Sequence, residues 1–351
     1  MRRVAIIGVG HGGKGVGGHS IGRLHARSYL AEGGCKMFGV ADLSPENLEQ
    51  FAAEYGVEHT NTDVRSMLAE VRPEIVSVAT YVGSHRKLIA AAVEAGAKGV
   101  WCEKPFVLNM EDGRAAVEMC ERAGVKLVVN HQRRYLHLFQ EARKVLNDGE
   151  IGTPVQLLAT VWEWDIIEWG THWFDMFRYL LNDQPVRWVS AQVRCTGEKT
   201  FYGHLIEEHA VAQVCFQDGT RALLEGGEHI PGDAAIKIVG TEGVLDILND
   251  GTLRLINARG VRDVEVRSDL HFPLPGTEAE DAFLATLRAL LTWVDGGEEP
   301  EVSGRNGLLS TELYLAAYES AKRGDRIDLP LTGQTEFPLK AVAARSAAGA
   351  D

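Results

Sequence analysis

A short apolar strand that runs straight into a glycine-rich turn constrains the fold of this chain more than any other feature. Residues 4–7 read Val-Ala-Ile-Ile, and eight of the 38 glycines in the 351-residue chain fall between Gly8 and Gly22. Glycine lets the backbone turn tightly after a strand and approach a pyrophosphate closely at a helix N-terminus. The start of the chain therefore predicts a parallel α/β sheet whose first loop binds a dinucleotide.

Spacing indicates which glycines of this cluster contact the nucleotide. The motif G-x-G-x-x-G matches at more than one place in the cluster, so the string alone does not locate the phosphate loop. The acid that binds the adenosine ribose follows the motif by about 20 residues, and Asp42 stands at that distance from Gly22. We therefore predict that Gly8, Gly10 and Gly22 contact the cofactor. Residues 11–20 are then an insertion in the phosphate loop, to which no role is assigned.

The same residues admit other interpretations. Gly8, Gly13 and Lys14 copy most of a Walker A motif, but Gly15 replaces the Ser or Thr that would meet Mg²⁺, which disfavours nucleoside triphosphate chemistry. Asp42 favours NAD over NADP, because a carboxylate accepts from a free 2′-hydroxyl and repels a 2′-phosphate. A flexible loop without a ligand and an ordinary aspartate at a strand end are the structural alternatives.

Hydrophobic patterning predicts two domains and a tail. The first 130 residues alternate short apolar strands with amphipathic helices, which is typical of an N-terminal Rossmann dinucleotide-binding domain. Residues 131–332 carry longer alternating runs, which predict an α+β domain with a large, mostly antiparallel open sheet for substrate binding and oligomerisation. Residues 333–351 show no period and are predicted to be a flexible tail. The predicted strands are 4–9, 37–41, 75–79, 99–102, 127–130, 155–161, 186–195, 210–216, 220–225, 236–239, 244–248, 253–257 and 261–266, and the predicted helices are 21–32, 45–54, 85–95, 110–123, 278–294 and 308–322.

Composition narrows the class of partner. The formal net charge of −13 lacks the basic surface of a nucleic-acid or anionic-membrane binder, so a small molecule is the expected partner. No apolar run approaches the ~20 residues that span a bilayer, and no signal-type cleavage region follows the N-terminus, so we predict a cytoplasmic protein. The five cysteines are widely spaced and form no Cys-x-x-Cys pair, which indicates reduced core thiols and neither a disulfide framework nor a metal site.

Glu103-Lys104-Pro105 follows the buried strand at residues 99–102, which places Lys104 at the carboxyl edge of a parallel sheet, where open α/β folds bind ligands. At this point the chain resembles the glucose-fructose oxidoreductase / inositol dehydrogenase / rhizopine-catabolism (Gfo/Idh/MocA) family over residues 3–330. The segments that carry the resemblance are, in order, Gly8-Val9-Gly10 with 21–26, 40–42, Ala79-Thr80 with His85, 103–105, 130–135, 170–175 and 238–243.

The resemblance implies a nicotinamide-dependent dehydrogenase that acts on a secondary hydroxyl of a sugar, cyclitol or related polyol. It implies Lys104, His172 and Glu168 as catalytic residues, with Glu168 standing where the family commonly has Asp. The implied cofactor-binding residues are Gly8, Gly10, Ser20, Ile21, Gly22, Asp42, Thr80, His85, Glu103, Lys104 and Gln132, with NAD preferred to NADP. The implied substrate residues are Lys104, Arg134, Trp162, Asp165, Glu168 and His172.

Local sequence agrees with a role for His172 as a base. Gly170-Thr171 precedes an amphipathic run, so His172 lies in the first turn of a helix, where the helix dipole disfavours a charged imidazolium. A packed structural histidine and, for Lys104, a surface lysine at a strand end are the alternatives. The tryptophans of residues 162–169 either pack at a domain interface or form a platform for sugar rings.

Two other functions remain compatible with the sequence. A glycosidase or epimerase could oxidise and re-reduce its substrate on a retained NAD without net NADH formation. A dinucleotide-binding regulator without catalysis is the second alternative, which the presence of both Lys104 and His172 disfavours. Whatever the function, the open sheet of the second domain has one face that its own domain leaves uncovered. We therefore predict a homodimer or homotetramer.

Overall fold

The computed structural model describes residues 1–10, 20–230, 235–248, 251–266 and 278–347. Of the predicted insertion at residues 11–20, all but Ser20 lies outside the described residues. Contacts divide the chain into two compact units. Unit 1 comprises Met1–Val107, Asp112–Tyr135 and Pro273–Leu308, and unit 2 comprises Leu108–Glu111, Leu136–Phe272 and Leu309–Asp351. A single boundary after residue 130 therefore does not describe the chain, because a segment near the C-terminus belongs with the N-terminal unit.

Unit 1 contains a six-stranded parallel sheet of order β3-β2-β1-β4-β5-β6. The strand order reverses between β1 and β4, and the carboxyl ends of strands at such a switch point form the usual ligand crevice of an open α/β sheet. The elements up to this sheet's last strand are β1 (Arg2–Ile7), α1 (Ile21–Glu32), β2 (Cys35–Ala41), α2 (Pro45–Tyr55), β3 (His59–Asn61), α3 (Val64–Val71), β4 (Ile75–Val78), α4 (His85–Glu94), β5 (Gly99–Cys102), α5 (Met110–Ala123) and β6 (Lys126–Val129).

The inner strands β1, β4 and β5 of unit 1 carry buried residues on both faces, which is typical of a sheet covered by helices on both sides. Alternate residues belong to different cores: Ala5 and Ile7 pack with residues of α3, α4 and α5, whereas Val4 and Ile6 pack with residues of α1 and α2. Helix α8 (Glu278–Val294), which also belongs to unit 1, adds to the core that holds Val4 and Ile6.

Unit 2 contains a nine-stranded sheet in which all neighbouring strands are antiparallel except the adjacent pair β7 and β12. The remaining elements of the chain are α6 (His137–Asn147), β7 (Pro154–Trp162), α7 (Gly170–Leu180), β8 (Val186–Arg194), β9 (Thr200–Phe201), β10 (His204–Leu205), β11 (His209–Phe216), β12 (Arg221–Gly227), β13 (Ile236–Gly240), β14 (Gly243–Ile247), β15 (Leu253–Asn257), β16 (Gly260–Val264), α8 (Glu278–Val294), α9 (Gly304–Arg323), β17 (Ile327–Asp328) and α10 (Leu339–Ala347). The sheet order is β16-β15-β14-β13-β7-β12-β11-β8-β17.

The structure confirms the predicted fold class: a Rossmann-like parallel sheet with helices, and a second, mostly antiparallel sheet. It differs from the prediction in the tail, where Leu339 and Val342 are buried on the helix α10 instead of lying in a flexible segment. Their spacing of three residues places both on one face of the helix. The predicted helices 21–32, 110–123 and 278–294 have the observed ends, and the elements absent from the prediction include β3, α3 and α6.

Candidate functional site

The glycine loop after β1 is built from positions that accept no side chain. Gly8 and Gly10 adopt positive φ angles of 89° and 59°, which favour glycine. A Cβ atom on Gly8 would lie 2.6 Å from the carbonyl oxygen of Ala79, and one on Gly22 would lie 2.3 Å from the carbonyl oxygen of Gly8. Helix α1 thus begins in close contact with the loop, which is the geometry that a pyrophosphate-binding turn requires. The residues present therefore fit a dinucleotide.

Asp42, at the end of β2, also ties the loop together. Its Oδ2 accepts hydrogen bonds from the backbone N–H groups of Val9 (2.9 Å) and Gly10 (3.0 Å). Its Oδ1 accepts from the backbone of Ser44 (2.9 Å) and from the side chain of Asn47 (3.1 Å). The carboxylate predicted to bind the ribose is therefore held in a fixed orientation beside the loop.

Arg23 of α1 binds the loop, a role that the sequence reasoning missed. Its buried guanidinium donates to the carbonyl oxygens of Val9 (3.1 Å) and Gly10 (3.0 Å) and to Ser20 Oγ (3.2 Å), and it pairs with Glu54. Ser20 in turn donates to the Val9 carbonyl. These bonds hold the carbonyl oxygens of Val9 and Gly10 against α1, while the N–H groups of the same two residues donate to Asp42.

A buried polar chain lies behind Lys104. Glu103 Oε1 accepts from Asn130 Nδ2 (2.6 Å) and contacts His25 Nε2 (2.9 Å), and His25 Nδ1 contacts Ser77 Oγ (2.9 Å). All four residues are buried. The predicted cofactor residue Glu103 is thus bonded inside unit 1, where it supports the strand end that presents the half-buried Lys104. No signal in the sequence reasoning singled out His25 for this contact beyond its position in α1.

The other predicted cofactor residues of unit 1 lie after β4, at the start of α1 and in the short helical turn after β6. His85 is fully buried, with Nε2 2.9 Å from the Thr80 carbonyl and Nδ1 3.0 Å from the Phe106 carbonyl, so it braces the loop after β4 against the segment after Lys104. Thr80 Oγ1 lies 2.7 Å from Ser84 Oγ. The half-buried Ile21 packs on the core shared by α1 and α2. In the short helical turn after β6, Gln132 is half-buried and Arg134 is buried.

In unit 2, the segment from β7 to α7 contains four of the six predicted substrate residues. Trp162 is the last residue of β7, and its side chain lies outside the described part of the structure. Asp165, Glu168 and His172 are all buried, and His172 lies in the first turn of α7 with its backbone N–H donating to the Trp169 carbonyl (2.9 Å). Asp165 Oδ1 accepts from the backbone N–H of Glu168 (2.6 Å), which holds the turn before the helix.

Two further residues of this cluster come from the segment around β10. His204 Nε2 lies 3.0 Å from Glu168 Oε1, and Glu207 Oε1 accepts from the backbone N–H of Ile166 (2.7 Å). Tyr318 of α9 donates its hydroxyl to Glu207 Oε2 (2.7 Å). Sequence reasoning missed all three residues, which lie in regions without a recognised motif: Glu207 stands 41 residues beyond Ile166, and Tyr318 stands 111 residues beyond Glu207.

Burial weakens two acids of this cluster, Asp165 and Glu207. It raises the pKa of Asp165 to about 6, and the charge of Glu168 adds to the rise. It raises the pKa of Glu207 to about 7, with the charge of Asp165 adding to that rise. The unit therefore holds carboxyl groups that exchange protons near neutral pH, beside two histidines. Such a cluster can bind hydroxyl groups and move protons.

The tryptophans of this turn contact each other and a neighbouring strand. The rings of Trp164 and Trp169 are 5.5 Å apart, Trp164 meets Phe201 edge-on at 5.7 Å, and Trp169 meets His172 at 6.2 Å. Trp164 and Trp169 are half-buried. An aromatic wall therefore stands next to the acid–base cluster within unit 2.

Three further features are the state of the cysteines, the grouping of potential metal ligands and the apolar length of the helices. All five cysteines are buried free thiols, as the sequence predicts. Across the residues that the structure describes, no group of three or more His, Cys, Asp or Glu side chains is placed to hold a metal ion. Within the same residues, no helix is long and apolar enough to cross a membrane.

Comparison with known proteins places these two units in one family. A family model described as "Oxidoreductase family, NAD-binding Rossmann fold" matches residues 2–131, and one described as "GFO/IDH/MocA C-terminal domain" matches residues 139–246. D-apiose dehydrogenase of Paraburkholderia graminis is 29% identical over 329 residues, covering 88% of this chain and 86% of that protein. Myo-inositol 2-dehydrogenase of Thermotoga maritima is 25% identical over 345 residues, covering 93% and 98%.

Solved structures share the fold. An oxidoreductase from Agrobacterium radiobacter, in complex with NAD⁺, L-tartaric acid and magnesium, aligns with a TM-score of 0.76 at 23% identity, covering 93% of this chain and 98% of that one. The WlbA dehydrogenase of Bordetella pertussis, in complex with NADH and UDP-GlcNAcA, aligns with a TM-score of 0.74 at 24% identity, covering 94% and 99%. At these identities the similarity establishes the architecture and not the substrate.

Proposed function

We propose that this chain, which belongs to the Gfo/Idh/MocA oxidoreductase family, oxidises a secondary hydroxyl of a sugar, cyclitol or related polyol with NAD. The observation that carries the proposal is the buried acid–base cluster at the start of α7, where His172 and Glu168 stand four residues apart beside Asp165. The relatives named as D-apiose and myo-inositol dehydrogenases support a polyol substrate.

The proposed chemistry divides among three kinds of residue. His172 accepts the hydroxyl proton, because a neutral imidazole is favoured in the first turn of a helix. Lys104 donates a hydrogen bond to the reacting oxygen, while Asp165 and Glu168 accept hydrogen bonds from neighbouring hydroxyls. A nicotinamide would supply the hydride acceptor that side chains lack.

The proposed cofactor is NAD. The loop of Gly8 and Gly10 would hold the pyrophosphate, since neither position has room for a Cβ atom. Asp42 would accept hydrogen bonds from the adenosine ribose, and its charge would repel a 2′-phosphate. We therefore expect kcat/KM to be higher with NAD than with NADP.

The direct test is turnover by the purified chain. Nicotinamide released on denaturation is identified by chromatography, and NADH formation is followed with a panel of sugars, cyclitols and related polyols, once with NAD and once with NADP. We expect NAD-dependent oxidation of at least one polyol. Failure to bind either nicotinamide cofactor would reject the proposal, and product formation without net NADH would favour the transient-redox alternative.

Substitution of Lys104 tests its assigned role. Lys104→Ala is expected to lower kcat by about 10²–10⁴, the usual effect of losing an acid–base group. Lys98→Ala is the matched control, because Lys98 is exposed and pairs with Glu74 just before β5, at the opposite end of the strand from Lys104. Equal activity of the two variants would remove Lys104 from the mechanism.

A further inference from the structure

The turn before α7 is held by groups from elsewhere in unit 2. Glu207 bridges two elements: one carboxylate oxygen accepts from Ile166 N–H (2.7 Å) and the other from the Tyr318 hydroxyl on α9 (2.7 Å). His204 lies 3.0 Å from the carboxylate of Glu168. Glu207 is therefore bonded to the backbone of the turn, and the His204 ring lies against a side chain of the turn that belongs to the acid–base cluster.

The rest of the turn is equally constrained. Ile166 and Ile167 are fully buried, so their side chains anchor the turn in the core. A Cβ atom on Gly226 of β12 would lie 3.0 Å from the Trp164 carbonyl oxygen, so this glycine lets the turn rest directly on the sheet. The bond from Ile166 N–H to Glu207 adds an outside acceptor to the bonds that Asp165 Oδ1 accepts within the turn, along the backbone that leads to Glu168 and His172.

We propose that Glu207 and His204 are positioning residues of the substrate-binding half of the site, with Glu207 fixing the turn backbone and His204 orienting the Glu168 carboxylate. The inference rests on the proposed function, which assigns Glu168 and His172 to the substrate. Burying a carboxyl group is costly, and an apolar side chain could fill the same space. An apolar residue would, however, leave the buried N–H of Ile166 without an acceptor.

This geometry gives the two residues different expected effects. Loss of Glu207 moves the backbone before His172, and misplacement of a reacting group by about 1 Å can cost on the order of 10²-fold in rate. We therefore expect kcat to fall in Glu207→Ala. Loss of His204 leaves the backbone in place and removes one contact of the Glu168 carboxylate, so His204→Gln is expected to raise KM for the polyol with a smaller change in kcat.

The experiment compares Glu207→Ala, Glu207→Gln, Tyr318→Phe and His204→Gln with the control Glu208→Gln. Glu208 is the next residue and is also buried, but its carboxylate binds Thr196 instead of the turn. Amide hydrogen exchange is measured over residues 163–172, together with kcat, KM for the polyol and affinity for NAD. Exchange is the readout that does not depend on turnover.

We expect Glu207→Ala to lose exchange protection in residues 163–172 and about 10-fold or more in kcat, with NAD affinity within about twofold of wild type. Glu207→Gln keeps an acceptor for Ile166 N–H and is expected to restore most of both. Tyr318→Phe keeps the bond to Ile166 and should fall in between, which preserves the test if Glu207→Ala does not fold.

Two results would overturn the inference. One is unchanged protection of residues 163–172 in Glu207→Ala. The other is a set of kinetic losses no larger than those of Glu208→Gln, which would make Glu207 a general stabilising residue. Absence of wild-type turnover rejects the proposed function by itself, whereas exchange tests the contact of Glu207 with the turn in either case.

Discussion

Two carboxyl groups of unit 2 are enclosed so fully that stability should depend on pH. Asp165 and Glu207 are almost completely buried, and burial raises their pKa values to about 6 and about 7. An unfolded chain titrates such groups near about 4. The folded state therefore binds protons more tightly, so the stability that these groups contribute is fully present below about pH 4 and is lost as the pH rises through 6 to 7.

Glu207→Gln tests this dependence at the level of one residue. The variant removes one of the two titrations, so its Tm relative to wild type is expected to be more favourable at pH 8 than at pH 5. The expected size is about 2–4 °C for each kcal/mol relieved in a domain of this size. Thermal melts followed by circular dichroism at the two pH values measure it, with Glu208→Gln as the matched loss of a buried carboxylate. A Tm difference that is the same at both pH values contradicts the prediction.

Single residues also mark the limit of what the sequence predicts about the site. The sequence is enough to predict Asp165, Glu168 and His172 as site residues, because they lie within eight residues of each other beside a helix start. His204, Glu207 and Tyr318 reach the same cluster from distant segments, and a single sequence carries no signal for such contacts. The sequence also predicts Glu103 as a site residue. Its contacts with His25 and Asn130 depend on the packing of α1 and β6, which one sequence does not show.

At the level of elements, local periodicity decides which predictions succeed. Helices α1, α5 and α8 have the predicted ends, because their apolar stripes start and stop where the helices do. Helix α6 was missed although Leu138, Ala142, Val145 and Leu146 follow a helical period and are buried. Strand β3 has three residues, too few to show an alternation.

The contact of α1 with the glycine loop gives a prediction for an element. A Cβ atom on Gly22 would lie 2.3 Å from the Gly8 carbonyl oxygen and 2.9 Å from Val9 Cα, and backbone atoms cannot yield as a flexible side chain can. Gly22→Ala should therefore displace α1 from the loop. We expect a loss of about 1–3 kcal/mol in the free energy of unfolding, typical of an overpacked site, together with weaker NAD binding.

Gly34→Ala is the matched control for this substitution. Gly34 follows the same helix, and no atom lies within 4 Å of the position that its Cβ would take. Its stability should stay within about 0.5 kcal/mol of wild type. Denaturant unfolding and NAD titration measure both variants, and similar behaviour of the two would show that Gly22 is not in the close contact described above.

At the scale of the whole molecule, a helix from the last quarter of the chain, α8, belongs to unit 1. Helix α8 starts at Glu278, yet Phe283, Leu287 and Leu290 are buried in the core that also holds Trp101 of β5 and Val128 of β6. A Cβ atom on Gly99 would meet Leu290 at 3.2 Å, so the helix lies directly on the sheet. Sequence patterning predicts this helix but cannot assign it to a unit, because an apolar stripe does not identify the surface that it covers.

Leu287→Ala tests this assignment. Leu287 is fully buried, so the substitution should cost about 2–5 kcal/mol, as expected for a large-to-small change in a core. Because α8 packs on the sheet of unit 1, amide exchange should rise first in residues 99–102 and 126–129, which lie far earlier in the sequence. Leu30→Ala, on the exposed side of α1, is the control and should change neither stability nor exchange. Faster exchange confined to the strands of unit 2 would contradict the placement of α8, and with it the inclusion of residues 278–308 in the nucleotide-binding unit.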